Sequence, residues 1–339
     1  MKGLFSVGVG LLLASLACGA RAQVIPDVPV VEAMADYIAP GGMVAVDGAR
    51  RIHLRCIGQG APTVVFTAGL GAWSATWAKV QPEVAKVTRA CAWDRAGFGL
   101  SDGDARHAQT VDQTTADLER ALKGAGIKGP YVLVGHSAGA YETLAFADRH
   151  RQEVAGVVLV DPSRPHDLAR EAAISPVAAK ADRAYFASEV QRLRDCAAGV
   201  ASGAIKTGAP AAPCFQYFPE IPKPVQATLA QRDADPARLR AQASLYAEYE
   251  ANGERIAKAG RAYGDLPLIV LSAARPYWPR EAEADHAALT ADWVESHKAL
   301  AALSTRGERQ VVTDTSHLIQ LDQPQRVIEA VTRVLGARR

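Results

Sequence analysis

The chain has 339 residues, 49% of them hydrophobic, 22% charged and 6% aromatic, with 38 Lys+Arg against 36 Asp+Glu. That is a globular composition able to bury a large core, and it excludes a disordered, a collagen-like and a multi-span membrane chain. With a formal charge of +2 and no basic block or stripe, nucleic acid is not an expected partner.

The first elements form an export signal. Met1-Lys2 supplies a short positive start, Leu4 to Ala17 is apolar, and Ala20-Arg21-Ala22 has the small-x-small form of a signal-peptidase site, with Gln23 as the mature start. The apolar run is too short to cross a bilayer, so stable membrane insertion is not expected. Cys18 opens the alternative of a lipid anchor, for which Ser15 and Leu16 are poorly suited. Removing residues 1–22 takes away Lys2 and Arg21 and no acid, leaving the mature chain with no formal net charge. In an oxidising compartment the remaining Cys56, Cys91, Cys196 and Cys214 allow three pairings. Two strand-like runs hold Cys56 and Cys91, and Cys196 and Cys214 bracket a Gly/Ala/Pro loop. Pairing 56–91 with 196–214 is therefore expected, with buried free thiols as the alternative.

Residues 23–40 contain three prolines and no clear period, which predicts an extended or frayed arm. Met43–Val46, the Asp47-Gly48 turn and Arg51–Ile57 predict a β-hairpin. Apolar, largely β-branched runs follow at 63–67, 89–93, 131–134, 157–160, 268–271 and 309–312, separated by helix-length segments at 74–87, 111–124, 138–150 and 324–335. Continuous apolar strands alternating with helices predict an α/β fold with a parallel sheet covered on both faces. The alternation stops between Asp161 and Leu266. Helical stretches near 177–196 and 237–259 predict a cap over the open end of the sheet. The organisation is a signal at 1–22, an arm at 23–40, a core at 41–162 and 263–339, and a helical cap insertion at 163–262.

Gly135-His136-Ser137-Ala138-Gly139 follows a predicted strand and precedes a predicted helix. In that context Ser137 sits on a sharp turn as a nucleophile; a helix-capping serine is the bland alternative. A serine hydroxyl needs a base. His317 follows the last strand by a short loop, on the same sheet edge as Ser137, and is the expected base. His136 should point away into supporting packing, while His286 and His297 lie in a charged, helix-like stretch and read as surface residues. Asp161 directly follows the 157–160 strand and is the expected acid, ahead of Glu281 and Asp285.

Together these stretches resemble the α/β-hydrolase fold superfamily from about Met43 to Leu335. Ala68-Gly69-Leu70-Gly71 is similar to the family's oxyanion loop, Asp94-Arg95-Ala96-Gly97-Phe98-Gly99-Leu100-Ser101 to its stretch after the fourth strand, and Ser316-His317-Leu318-Ile319-Gln320-Leu321-Asp322-Gln323-Pro324 to its terminal histidine segment. The order Ser, Asp, His agrees with the family's. Many members carry the acid after the seventh strand, where this chain has Ala273-Ala274-Arg275-Pro276; a subset uses the sixth strand's end, where Asp161 falls. The resemblance implies an eight-stranded, mostly parallel sheet, neighbouring second and fourth strands (strengthening Cys56–Cys91), and an oxyanion hole from the N–H groups of Leu70 and Ala138. It implies a serine hydrolase acting on small ester-like molecules. Amides, peptides, lactones and C–C bonds are alternatives on the same triad, and a non-catalytic binding protein is the alternative from another class. A serine at the elbow argues against the dehalogenases and epoxide hydrolases of this fold, which use Asp there. No cofactor or metal is expected, since zinc spacing, H-E-x-x-H, P-loop and dinucleotide signatures are missing. Tyr185, Phe186, Phe215, Tyr217, Phe218, Tyr246 and Tyr249 of the cap, with Trp73 and Trp77, could line a pocket or simply pack.

Overall fold

A computed structural model describes residues 30–39, 41–206, 213–215, 217, 220–258 and 260–337. The expected signal at 1–22 with its Cys18, the arm up to residue 29, and Phe218 lie outside the described residues.

Eight strands form one sheet: β1 Met43–Asp47, β2 Arg50–Ile57, β3 Thr63–Thr67, β4 Ala90–Trp93, β5 Tyr131–His136, β6 Val154–Val160, β7 Leu268–Ala273 and β8 Gly307–Val312. Their spatial order is β1-β2-β4-β3-β5-β6-β7-β8. The β1–β2 and β2–β4 pairs are antiparallel and every other pair is parallel. All eight predicted runs are strands: β3 to β7 are short apolar stretches buried along their whole length, as a sheet covered on both faces requires, while β1 and β8 are the partly exposed edges.

The helices are α1 Gln81–Val84, α2 Val111–Gly124, α3 Gly139–Arg149, α4 Asp167–Ile174, α5 Pro176–Ala201, α6 Lys223–Arg232, α7 Pro236–Ala247, α8 Tyr249–Arg255, α9 His286–Ala301, α10 Ile319–Asp322 and α11 Pro324–Gly336. Alternation along the strands divides the core in two. Val132 and Val134 of β5 join the cluster that holds Val84, Val327 and Val331, while Tyr131 and Leu133 join that of Leu118, Leu144 and Leu300. Helices α1 and α11 thus cover one face, and α2, α3 and α9 the other.

Three local expectations need correction. Within the arm, Glu32–Ile38 is a 3-10 helix rather than a frayed segment, with Met34 and Tyr37 buried and the Tyr37 hydroxyl donating to Gln81 Oε1 at 2.7 Å. Val31, Met34 and Tyr37 recur every third residue, which is the 3-10 period. The predicted 74–87 helix is two short pieces, Ser74–Trp77 and α1, and the 237–259 helix divides into α7 and α8.

The insertion supplies α4 to α8. Helix α7 seats it on the core: Arg238, buried, donates to Gly99 O at 2.9 Å, and Gln242 Nε2 donates to Gly97 O at 2.8 Å. The 94–101 stretch that receives α7 is held by the buried Asp94 carboxylate, which accepts from Ser74 N at 2.7 Å and Leu100 N at 3.0 Å and pairs with His53 Nδ1 at 2.7 Å. Disulfides join Cys56 to Cys91, which face each other across the β2–β4 register, and Cys196 to Cys214 within the cap. Among the described residues no helix is long and apolar enough to cross a membrane.

Candidate active site

Ser137 occupies the turn between β5 and α3 with φ 51°, left-handed backbone that a side-chain-bearing residue adopts only when its surroundings enforce it. Two close approaches enforce it here. A Cβ on Gly135 would come within 2.3 Å of Thr143 Oγ1, and one on Gly139 within 2.6 Å of the carbonyl oxygens of Thr67 and Ala68. Ser137 N donates to Val160 O at 3.1 Å and its own carbonyl accepts from Ser163 N at 3.0 Å, tying the turn to the end of β6.

Asp161 sits at that strand end, 1% exposed and also left-handed, with φ 40°. Its Oδ1 accepts the N–H of Ala273 at 2.9 Å and its Oδ2 lies 2.7 Å from His317 Nδ1. Burial pushes the carboxyl upward, but the hydrogen bond and charge of His317 and the Ala273 N–H outweigh it and hold Asp161 below the usual carboxylate range. The expected acid and the expected base are therefore bonded to each other, while among the described residues no hydrogen bond or ion pair joins Glu281 or Asp285 to His317. The seventh strand end, with Ala273 where many relatives of this fold have an acid, contributes a backbone donor to Asp161 instead.

His317 is brought to the edge by the loop after β8, and Ser316 N is anchored on Asp322 Oδ2 at 2.7 Å. His136, buried behind the turn as expected, donates Nε2–H to the carbonyl of His317 at 2.9 Å, with the two rings 4.7 Å apart. Burial and the neighbouring His317 push His136 down to about 3, so it is the neutral imidazole and a fixed prop. Ser137 Oγ and His317 Nε2, the pair expected to meet, make no hydrogen bond to each other or to any other of the described residues.

The N–H groups of Leu70 and Ala138 likewise donate to no group among the described residues. The loop carrying Leu70 is braced by the buried Arg95: Nη1 donates to Gly69 O at 3.0 Å, and Nη2 donates to Glu142 Oε2 at 2.9 Å. Beside these donors lies a small cavity of about 10 Å³, lined in part by Leu70, Ala138, Tyr141 and Tyr249, room for about one water. Of the cap aromatics, Tyr249 lines it. Phe186 and Tyr249 have ring centres 4.8 Å apart, and a Cβ on Gly71 would meet the Tyr246 hydroxyl at 2.3 Å. Tyr185 is 53% exposed, Phe215 is half-buried, and Tyr217 is tied to Asp233 at 3.0 Å. Trp73 and Trp77 are buried packing residues.

One expectation fails. His297 is not on the surface: it is fully buried on α9, paired with Ser272 Oγ and Pro162 O. The signal was present as an apolar stripe of Leu289, Trp293, His297 and Leu300 at helical spacing. The Arg95–Glu142 pair was also missed, since nothing local marks a contact between residues 47 positions apart.

Fold and family agree. The chain belongs to the alpha/beta hydrolase family, whose model matches residues 64–330, and it is a hydrolase. An uncharacterised Bacillus subtilis (strain 168) protein, YqjL, is 26% identical over 267 residues, covering 79% of this chain and 81% of that protein. Solved structures with the same fold include a thermophilic esterase from Thermogutta terrifontis (22% identity, TM-score 0.58, 88% of this chain and 99% of that one). The epoxide hydrolase CorEH (18%, TM-score 0.60, 87% and 98%) and the N-acyl homoserine lactone degrading enzyme Est816 (19%, TM-score 0.57, 86% and 98%) are similar in the same way.

Proposed function

We propose that the protein is an exported carboxylic ester hydrolase in which Ser137 is the nucleophile, His317 the general base and Asp161 the acid. The observation that carries this reading is the 2.7 Å His317–Asp161 bond at the strand edge that also bears Ser137 in its left-handed turn. Asp161 holds the Nδ1–H tautomer, so Nε2 is the atom that accepts the serine proton. Ser137 Oγ attacks the acyl carbonyl, and the developing oxyanion is received by the N–H groups of Leu70 and Ala138. One such donor contributes about 3 kcal/mol to the transition state. His317 then protonates the departing alcohol, and a water activated by the same imidazole releases the acid from the acyl-enzyme. Two disulfides suit an oxidising compartment and so support export.

The test is labelling with a serine-directed fluorophosphonate, wild type against Ser137→Ala, followed by a panel of linear esters, lactones and anilides. Labelling at Ser137 with linear esters as the fastest substrates is expected. A folded wild-type protein that leaves Ser137 unlabelled would overturn the reading.

A further inference from the structure

The buried His297 is unused by this chemistry, yet both of its ring nitrogens are committed. Nδ1 lies 2.7 Å from Ser272 Oγ on β7, and Nε2 lies 3.0 Å from the carbonyl oxygen of Pro162. The protons can be assigned. A carbonyl only accepts, so Nε2 carries hydrogen. Burial keeps the ring neutral with that single proton, so Nδ1 is bare and accepts from the Ser272 hydroxyl, whose oxygen in turn accepts the Arg309 Nε–H of β8 at 2.9 Å. The chain runs one way: Arg309 to Ser272 to His297 to the Pro162 carbonyl. Burial pushes His297 down to about 4, and Arg164 and Arg309 push the same way, while Asp161 and the bond to Pro162 oppose them.

This chain ends on the peptide next to the strained acid. Asp161 keeps a positive φ only if both flanks are over-determined. On one flank its N–H donates to Leu271 O at 2.8 Å. On the other stands Pro162, which has no N–H; the peptide that follows it is held at both ends, its Ser163 N–H donating to Ser137 O at 3.0 Å and its Pro162 carbonyl accepting from His297.

We propose that His297 is a positioning residue for the acid: by pinning Pro162 O it keeps Asp161 aimed at His317 Nδ1. The proposal rests on the Ser137–His317–Asp161 reading. The titratable and charged groups facing His297 are Asp161, Arg164 and Arg309; Asp161 and His136 face His317.

The experiment compares wild type, His297→Phe, His297→Gln and Ser272→Ala by NMR titration of the His317 imidazole and by the pH profile of fluorophosphonate labelling. In His297→Phe, labelling at pH 7.5 should slow at least about tenfold. The His317 pKa should fall by about half a unit or more, because an imidazolium loses its aligned carboxylate. His297→Gln, whose amide can donate to Pro162 O, should recover most of both, and Ser272→Ala should shift them in the same direction by less. A His297→Phe protein with an unchanged His317 titration overturns the proposal even if it is less stable, as does failure of His297→Gln to differ from it. If His297→Phe does not fold, a wild-type titration in Ser272→Ala overturns it. Absence of labelling in wild type would instead remove the esterase reading, while the His317 titration would still report on Asp161.

Discussion

His317 Nδ1 lies 2.7 Å from Asp161 Oδ2, with the carboxylate 1% exposed and 42% of the imidazole side chain open to solvent. An acid sealed from water and a base open to it form an asymmetric pair: one carboxylate oxygen is held by the Ala273 N–H and the other faces the ring, whose remaining edge is turned to solvent. Asp161→Asn keeps the shape but offers His317 an amide that can stabilise the wrong tautomer. The expected loss in kcat is about 10³–10⁴-fold with KM little changed. Glu281→Gln and Asp285→Asn should stay within about twofold of wild type, because neither side chain reaches His317. Steady-state kinetics on the best ester checks this ranking, and a larger loss in either of the latter two would move the acid to the seventh strand.

Arg95 and Glu142 form a buried ion pair whose guanidinium also holds the Gly69 carbonyl. Removing one partner strands the other charge in a low dielectric. Arg95→Met should therefore cost about 3–5 kcal/mol in urea unfolding. The double variant Arg95→Met/Glu142→Leu should recover most of that stability, since no lone charge remains. It should not recover rate: with Gly69 O released, the Leu70 N–H loses its aim and kcat should stay about 10²-fold down. Full activity in the double variant would show that the pair serves stability alone.

The fold was legible because its signal is carried by runs of adjacent residues. Val132, Leu133 and Val134 are apolar on both faces, which only a covered parallel strand requires, and an apolar strand ending at Asp161 or Gly135 already marks a sheet edge. The proposed triad draws on the same logic, Ser137 and Asp161 directly following β5 and β6 and His317 following the short loop after β8. What stayed hidden depends on contacts distant in sequence or on an unusual period. His297 has Asp292, Glu295 and Lys298 as neighbours, and its burial is visible only along the Leu289–Trp293–Leu300 stripe. Arg95 meets Glu142 through the turn of the sheet, and the Val31–Met34–Tyr37 spacing falls outside a search for 3.6-residue helices.

Both disulfides close sizeable loops, with sequence separations of 35 and 18. By the chain-entropy model each stabilises by about 3–4 kcal/mol, the longer loop slightly more. Cys56→Ala/Cys91→Ala should lower the urea midpoint, and Cys196→Ser/Cys214→Ser should do so while loosening the cap more than the sheet. Peptide mapping of the unreduced exported protein should yield 56–91 and 196–214 linked peptides. Four free thiols would contradict both the pairing and the oxidising compartment.

Stability should have a maximum in mildly acidic to neutral solution, because two sets of buried groups pull in opposite directions. Burial holds His136 down to about 3 and His297 to about 4. Above about pH 6.5 neither state carries these protons; below it the unfolded histidines bind protons that the native ones refuse, and stability falls until the pH reaches the folded values. For His297 the full loss is about 3 kcal/mol, accumulated between about pH 6.5 and 4. Glu171 and Asp182 in the cap act oppositely. Burial, and for Glu171 the neighbouring Asp182 as well, raise both carboxyls above the usual range. There the unfolded chain releases protons that the native pair keeps, and stability declines as pH rises from the ordinary carboxyl values of about 4 up to about 6 for Asp182 and about 8 for Glu171. Two variants separate the arms. His297→Gln should flatten the acid side by about 1.4 kcal/mol per pH unit, one proton's worth, and Glu171→Gln should flatten the decline that ends at about pH 8. Urea unfolding at half-unit steps from pH 4.5 to 8.5 measures both slopes, and an acid arm equally steep in wild type and His297→Gln would mean that the buried imidazole is already protonated in the native protein.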